Sequence, residues 1–214
     1  MKNNIVALTV TCNRLSITRQ WLDQLKLKNK GVKFPHIIID NGSTDGTVDW
    51  LRSQGYEIMS LNKNIGQAAA LRLGWEYALS KYDPKYYVKF DDDCEVITDG
   101  ILEKMANFLD QCDSHIVAPI NIELEMEEFK AYFPTIYGKS KEKGHEIWNV
   151  SHTGGIVQMM PKKAVQLLLA RKDDILGDMA RCRIFIERGI DPVFLYDLKV
   201  MHRGGANQTK NYKL

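Results

Sequence analysis

The sequence predicts an α/β fold: one mostly parallel sheet with helices packed on both of its faces. Three observations carry that expectation. Short apolar runs rich in β-branched residues recur, at Ile5 to Val10, His36 to Ile39, Tyr56 to Leu61, Tyr86 to Phe90 and Ile116 to Ile120. The segments between them have the apolar spacing of amphipathic helices. Acidic residues close two of the runs, Asp40 after one and Asp91 to Asp93 after another, and sheets of this kind bind ligands beyond the carboxyl ends of their strands.

In chain order, Ile5 to Val10 is continuously apolar, as a strand covered on both faces must be. Ser16 stands where it can cap a helix whose apolar stripe is Ile17, Trp21 and Leu25. His36 to Ile39 is a second strand, stopped at Asp40, and Asn41-Gly42 signals a turn. Val48 and Leu51 suit a short helix, and Tyr56 to Leu61 a third strand. Gly66 to Leu79 is an alanine-rich helix with Leu71, Trp75 and Ala78 on one side. Tyr86 to Phe90 is the fourth strand. Thr98 is placed to cap a helix that buries Ile101, Met105 and Phe108, and Ile116 to Ile120 is the fifth strand. Beyond this the pattern loosens. Residues Ile122 to Trp148 join a glutamate-rich stretch to a lysine-rich one and read as a surface excursion or loop. Pro161 can open a helix through Leu169. Ile175, Met179, Cys182 and Ile186 share a helical face that ends near Gly189, and Val193 to Val200 is strand-like.

Of the 214 residues, 29 are basic and 27 acidic, and 44% are hydrophobic. That supports a packed core. The net charge of +2 is small and unclustered for a duplex-binding protein, so no nucleic-acid partner is expected. Cys12, Cys94, Cys112 and Cys182 are scattered without a CxxC pair. This argues against a disulfide framework and fits a reducing, cytoplasmic setting. No apolar run approaches the ~20 residues of a membrane span, so no transmembrane segment is expected and any membrane contact would be peripheral. The N-terminal residues have no signal-peptide pattern.

The acidic triplet is the first candidate for chemistry. Adjacent carboxylates repel and stay ionised together only where cations or solvent compensate. Divalent metals that hold diphosphates take one or two carboxylates plus phosphate oxygens. On an extended segment Asp91 and Asp93 point the same way. A solvated acidic turn is the plainer alternative. Asp40 to Thr47 (Asp-Asn-Gly-Ser-Thr-Asp-Gly-Thr) comes second. Asp40 can accept from the N–H of a base, and a glycine turn lets backbone amides approach a ligand. Ser43 to Asp45 can also cap the next helix. Third, Asn62 to Ala70 sets a loop and a helix N-terminus at the same rim, which suits an anion.

Together these pieces resemble a family 2 glycosyltransferase with the GT-A fold. They are Val10-Thr11-Cys12-Asn13-Arg14, Asp40 to Thr47, Asn64-Ile65-Gly66 with Arg72 and Gly74, and Asp91-Asp92-Asp93 as the DxD motif. The resemblance covers roughly the whole chain and is strongest through Ile97. It implies a single domain, 1–214, with a Rossmann-like sheet, a nucleotide-binding half (1–97) and a less regular acceptor-binding half (98–214).

The resemblance also implies roles. Thr9 and Thr11 would lie against the base by backbone contacts, and Asp40 would read it, most often a uracil. Asn13, Arg14, Asn41, Ser43, Asn64 and Gly66 belong to the donor side, with Lys63 and Arg72 near the base or phosphates. Asp91 would face the ribose or donor sugar, Asp93 would bind Mn²⁺ or Mg²⁺, and Asp92, the least defined of the three, belongs to the donor- and nucleotide-binding set. His202, after the last strand, would complete the metal site. Thr153-Gly154-Gly155 resembles a segment that borders donor sugar and acceptor, with His152 and Trp148 on the acceptor side. Trp148 suits a sugar face and the core equally.

Family members carry an acidic pair whose second member is the base. Here the pair reads Gly177-Asp178. Asp178 is the base candidate although the first acid is missing. Asp173 and Asp174 are rivals, and a plain helix-start role for Asp178 is as good a reading.

The function implied is a metal-dependent, inverting glycosyltransferase of hexosyltransferase type. It takes a nucleotide-diphosphate sugar, UDP-linked by family habit, and serves polysaccharide or glycoconjugate synthesis. The acceptor, whether glycan, lipid-linked or protein, is open. Residues 122–148, or the tail from Arg203, are expected to close the site. A nucleotidyltransferase is the alternative, but it usually has a glycine-rich loop where this chain has Thr11-Cys12-Asn13-Arg14-Leu15. A nucleotide-sugar-binding domain without catalysis is a third reading.

Overall fold

The computed structural model describes residues 4–29, 32–122, 134–171 and 177–202. In chain order the elements are β1 (Ile5–Thr11), α1 (Leu15–Lys28), β2 (His36–Asp40), α2 (Thr47–Ser53), β3 (Glu57–Ser60), α3 (Gln67–Lys81), β4 (Tyr86–Asp91), β5 (Cys94–Val96), α4 (Ile101–Leu109), β6 (His115–Asn121), β7 (Ile136–Glu142), β8 (His145–Val150), β9 (Val157–Pro161), α5 (Lys162–Leu169), α6 (Asp178–Ile186) and β10 (Asp191–His202). The strands form one mixed sheet in the order β3-β2-β1-β4-β9-β6-β10-β8-β7, with β5 paired to β10.

β1 to β4 are mutually parallel, and the residues of β1, β2 and β4 alternate between two cores. Ile5 and Ala7 face α1, α2 and α4 through Trp21, Leu51 and Met105. Val6, Leu8 and Val10 face α3, α5 and α6 through Trp75, Val165 and Phe185. β9 runs antiparallel to β4, so its first residues rather than its last reach the rim where β1, β2 and β4 end.

Several sequence expectations change. Ser16 does not cap α1: the helix starts at Leu15, whose N–H donates to Asp45 Oδ2 at 3.0 Å from the neighbouring loop. Thr98 does not cap α4, which follows Gly100 in the left-handed conformation; its hydroxyl accepts from Lys199 N–H at 2.7 Å. Part of the excursion read over 122–148 is β7 and β8, an antiparallel pair that extends the sheet through β10. On α6 the buried face is Arg181, Cys182 and Phe185, whereas Met179 and Ile186 are exposed. Ile175, Asp173, Asp174, the segment 123–133 and the tail from Arg203 lie outside the described residues. All four cysteines are free. No helix among the described residues is long and apolar enough to cross a membrane.

Candidate functional site

The rim at the carboxyl ends of β1, β2 and β4 is stitched together by side chains from the loops that leave it. Asn13, at φ 52, receives the Thr44 N–H on its Oδ1 at 2.7 Å and gives its own N–H to Ser43 Oγ at 2.8 Å. Asp45 accepts from Leu15 N–H and Thr47 N–H, so one carboxylate serves the starts of two helices. Asn41 accepts from Ile65 N–H at 3.0 Å and donates to Asn64 Oδ1, which also accepts from Gly66 N–H. Gly42, at φ +83, allows this closeness: a Cβ there would sit 2.7 Å from the Lys63 carbonyl carbon. Lys63 is exposed above this turn.

Asp40 lies beneath the stitched loops and is fully buried. Its Oδ2 accepts from Ser43 N–H at 3.2 Å and Ser60 hydroxyl at 3.4 Å, while its Oδ1 has no partner. A buried acceptor left open costs free energy unless something donates to it.

The triplet divides its members. Asp91 ends β4, and its Oδ1 accepts from Lys89 Nζ at 2.6 Å and Gln67 Nε2 at 2.9 Å. Burial raises its pKa against the pull of Lys89. Asp92 and Asp93 share Arg14, whose Nη1 lies 2.8 Å from Asp92 Oδ1 and 2.9 Å from Asp93 Oδ2. Burial pushes Asp92 up to about 6, opposed by Arg14 and by the Thr11 hydroxyl. For Asp93, burial works upward too, but His202 and Arg14 outweigh it and hold the carboxyl below the usual range.

His202 arrives through strand pairing. β10 and β5 are antiparallel with His202 opposite Cys94, which puts the imidazole beside Asp93, Nε2 to Oδ1 3.0 Å. Ligand-type atoms of Asp91, Asp93 and His202 all lie within 4.8 Å of one another.

Asp178 opens α6 close enough to the rim for its charge to act on Asp91. It is paired with the buried Arg181 and presses on Gly155, where a Cβ would lie 2.6 Å from its Oδ1. His152, Gly154, Gly177, Asp178, Met179 and Ala180 line one open cleft. His152 is held by Ser151, Oγ to Nδ1 3.0 Å; burial lowers its pKa, with the Asp178 charge opposing. Thr153 is wholly buried and accepts from Gln158 Nε2 at 2.6 Å, so it supports the loop from behind.

Three candidates sit elsewhere. Thr9 is two residues inside β1, between Ile38 and Phe90, with Oγ1 3.1 Å from His36 Nε2. It is core, because the strand runs on to Thr11. Arg72 points from α3 to α5, donating to Glu76 and to the Leu169 carbonyl at 3.0 Å, so it ties two helices. Trp148 stacks on Tyr196 at 4.1 Å and has Lys139 Nζ over its ring at 3.6 Å, a core-type packing.

Lys89, Gln67 and Arg181 were not foreseen. Lys89 carried a signal: a lysine inside the apolar strand Tyr86 to Phe90, two residues before Asp91 and therefore on its face. Arg181 carried a weaker one, three residues beyond Asp178 on a helix.

The family model for glycosyl transferase family 2 matches residues 7–169. Among curated proteins, no sequence matches the chain. Solved structures share the fold at low identity. Mannosyltransferase PcManGT from Pyrobaculum calidifontis, in complex with GDP-Man and Mn²⁺, superposes with a TM-score of 0.73 at 15% identity, over 96% of this chain and 58% of its own. GalNAc-T7 with UDP, GalNAc and Mn²⁺ gives 0.69 at 12%, over 93% and 43%. S. aureus TarS 1-349 gives 0.65 at 13%, over 92% and 60%. The chain thus spans about two fifths to three fifths of these proteins' lengths.

Proposed function

The chain belongs to glycosyl transferase family 2, and on that premise we propose that it moves a sugar from a nucleotide-diphosphate sugar to an acceptor hydroxyl, with inversion at the anomeric carbon and with help from a divalent metal. The observation that carries this reading is the meeting of Asp91, Asp93 and His202 within 4.8 Å at a sheet rim that also holds Asp178.

The donor set suits Mn²⁺ or Mg²⁺: carboxylate oxygens and one imidazole, with no thiolate among them. Asp93 and His202 are the proposed ligands, and Asp91, whose Oδ1 takes Lys89 and Gln67, is left to face the donor. A cation held there supplies positive charge against the charge that develops on the leaving diphosphate.

Residues 1–97 bind the nucleotide in this reading, and 98–214 hold the acceptor. The open Oδ1 of Asp40 accepts an N–H from the base, with uracil favoured. The loop of Asn41, Asn64 and Gly66 borders the nucleotide, and Asp91 faces the ribose or donor sugar. Arg14 anchors Asp92 and Asp93. Asp178 takes the acceptor proton as the hydroxyl attacks opposite the leaving group. His152, Gly154 and Gly155 line the acceptor approach, and the lowered pKa of His152 keeps its ring neutral there at neutral pH.

Thermal unfolding with UDP, GDP and their sugars, each with and without Mn²⁺ or Mg²⁺, tests the reading. A ligand at 100 times its Kd stabilises by about 2.7 kcal/mol. Stabilisation by a nucleotide sugar, larger with metal, is expected, and Asp93→Ala should erase the metal-dependent part. If no nucleotide raises Tm, the donor class is wrong; if Asp93→Ala keeps the metal effect, the metal lies elsewhere.

A further inference from the structure

Lys89 is buried in β4, its side chain 5% exposed, and the mechanism above gives it no task. Burying an ammonium is costly unless it is paired and fully hydrogen-bonded. Lys89 is paired, and two of its three N–H donors have acceptors from opposite sides of the site. Its Nζ donates to Asp91 Oδ1 at 2.6 Å, on the donor side, and to the Gly155 carbonyl, on the acceptor side. The Gly155 backbone in turn bears on the Asp178 carboxylate so closely that a Cβ would lie 2.7 Å from Asp178 Cγ. The Asp91 N–H bonded to the Ile156 carbonyl at 2.8 Å fixes the same loop one residue further on.

We propose that Lys89 is a positioning residue that sets the distance between the donor-facing Asp91 and the base Asp178, acting through the Gly155 backbone. This rests on the proposed function, and it assigns Lys89 no contact with either substrate. A single-displacement reaction needs donor and base in fixed alignment, and a shift of about 1 Å costs about 100-fold in rate. The ammonium supplies that alignment with one rigid bridge. Gly155 supplies the absent side chain that lets Asp178 come down onto the loop.

The experiment uses Lys89→Met, Gly155→Ala and the double variant. Once wild-type transfer is established, each single change should lower kcat by about 100-fold while the donor KM stays within about threefold. Because both act on one device, the double variant should lose about as much as either alone rather than the product. A second readout does not need turnover. Asp178 raises the titration midpoint of His152, so Asp178→Asn should lower that midpoint when followed by NMR. The drop should shrink in the Lys89→Met background, where Asp178 is no longer held in place. An unchanged drop overturns the inference, whatever the rates. If wild type transfers no sugar from any donor, the proposed function fails, and the His152 measurement still decides the role of Lys89. If Lys89→Met does not fold, Gly155→Ala is judged on the same two readouts.

Discussion

The two halves of the sheet reach one rim by different routes. In β1, β2 and β4 the strands are parallel, and each delivers its last residue there: Thr11, Asp40 and Asp91. Placement in that half is local, since a residue's position in its strand nearly fixes its position in the site. The other half has no such rule. β9 is antiparallel and offers its leading loop, with Gly155. β10 shifts register between Leu195 and Lys199 before His202 can pair across from Cys94 and meet Asp93. Its site residues are set by partners far away in sequence, and that makes the second half the more sensitive to substitution at a distance.

The contrast is broken most severely by exchanging roles between the halves. Asp178→Asn should reduce turnover by about 100- to 10,000-fold, the range of general-base catalysis, with nucleotide binding retained. Asp40→Ala should do the reverse. It removes the buried acceptor proposed for the base, which should weaken nucleotide binding by roughly tenfold, with kcat recovered at saturating donor. Steady-state kinetics with calorimetric nucleotide titration separates the two. If Asp178→Asn alters only KM, the division into a nucleotide half and a catalytic half fails.

Trp148 sharpens the comparison on the stability side. It joins β8 to β10 in a ladder of Lys139, Trp148, Tyr196 and Lys199, with the second lysine 3.5 Å above Tyr196. Its indole N–H donates to Glu146 at 2.7 Å. Trp148→Ala should cost about 3–5 kcal/mol in urea unfolding, the usual range for such truncations. Donor KM in the folded fraction should not change. A change in acceptor KM without loss of stability would return Trp148 to the acceptor site.

The same contrast explains what could be read from the sequence. The β-branched runs and the acids that end them located the first half to within a residue or two, because period and strand end are local signals. The partners of Arg72 were not legible because helical spacing gives the side of α3 but not the neighbour; only α5 packing against it supplies the Leu169 carbonyl. Trp148 was open between sugar face and core because its covering partner, Tyr196, is 48 residues away in another strand. β7 was read as loop since its pattern is largely exposed and lysine-rich, which suits an edge strand as well as a loop, and β8 fell in the same excursion although it is half-buried. His202 was legible through resemblance alone, since nothing near it in sequence announces the turn of β10 toward β5.

Glycine gives a smaller test. Gly74 lies where α3 crosses the sheet, and a Cβ would come 2.6 Å from Ile39 Cδ1 and 3.0 Å from Leu8 Cδ2, both in the buried core. Gly138, on β7, has nothing within 4 Å. Gly74→Ala should destabilise by about 1–3 kcal/mol through overpacking. Gly138→Ala should change stability by less than about 0.5 kcal/mol. Equal effects in denaturant melts would mean that α3 can shift on the sheet as freely as the edge hairpin.

The smallest effect comes from His36, at the start of β2. Its ring is enclosed by Trp21, Phe34, Tyr56 and Phe90, and Nε2 lies 3.1 Å from Thr9 Oγ1. Burial, with the charge of Lys26 adding, drives its pKa down to about 3. The unfolded chain protonates the same imidazole near ~6.5. Between those values the unfolded state binds a proton that the native state refuses, so stability rises with pH across the window and falls on acidification. The residue keeps some exposure at the lip of a cavity lined by Leu25, Lys26 and Tyr56, and that tempers the effect. The expected loss between about pH 7 and about pH 5 is on the order of 1 kcal/mol from this group. His36→Gln removes the titrating ring while the other acids and histidines remain, so its urea midpoint should fall less than that of wild type over the same interval. Equal falls would show that the ring is solvated in the native state, and that the first half of the sheet is less tightly closed at its far end than at the rim that carries the chemistry.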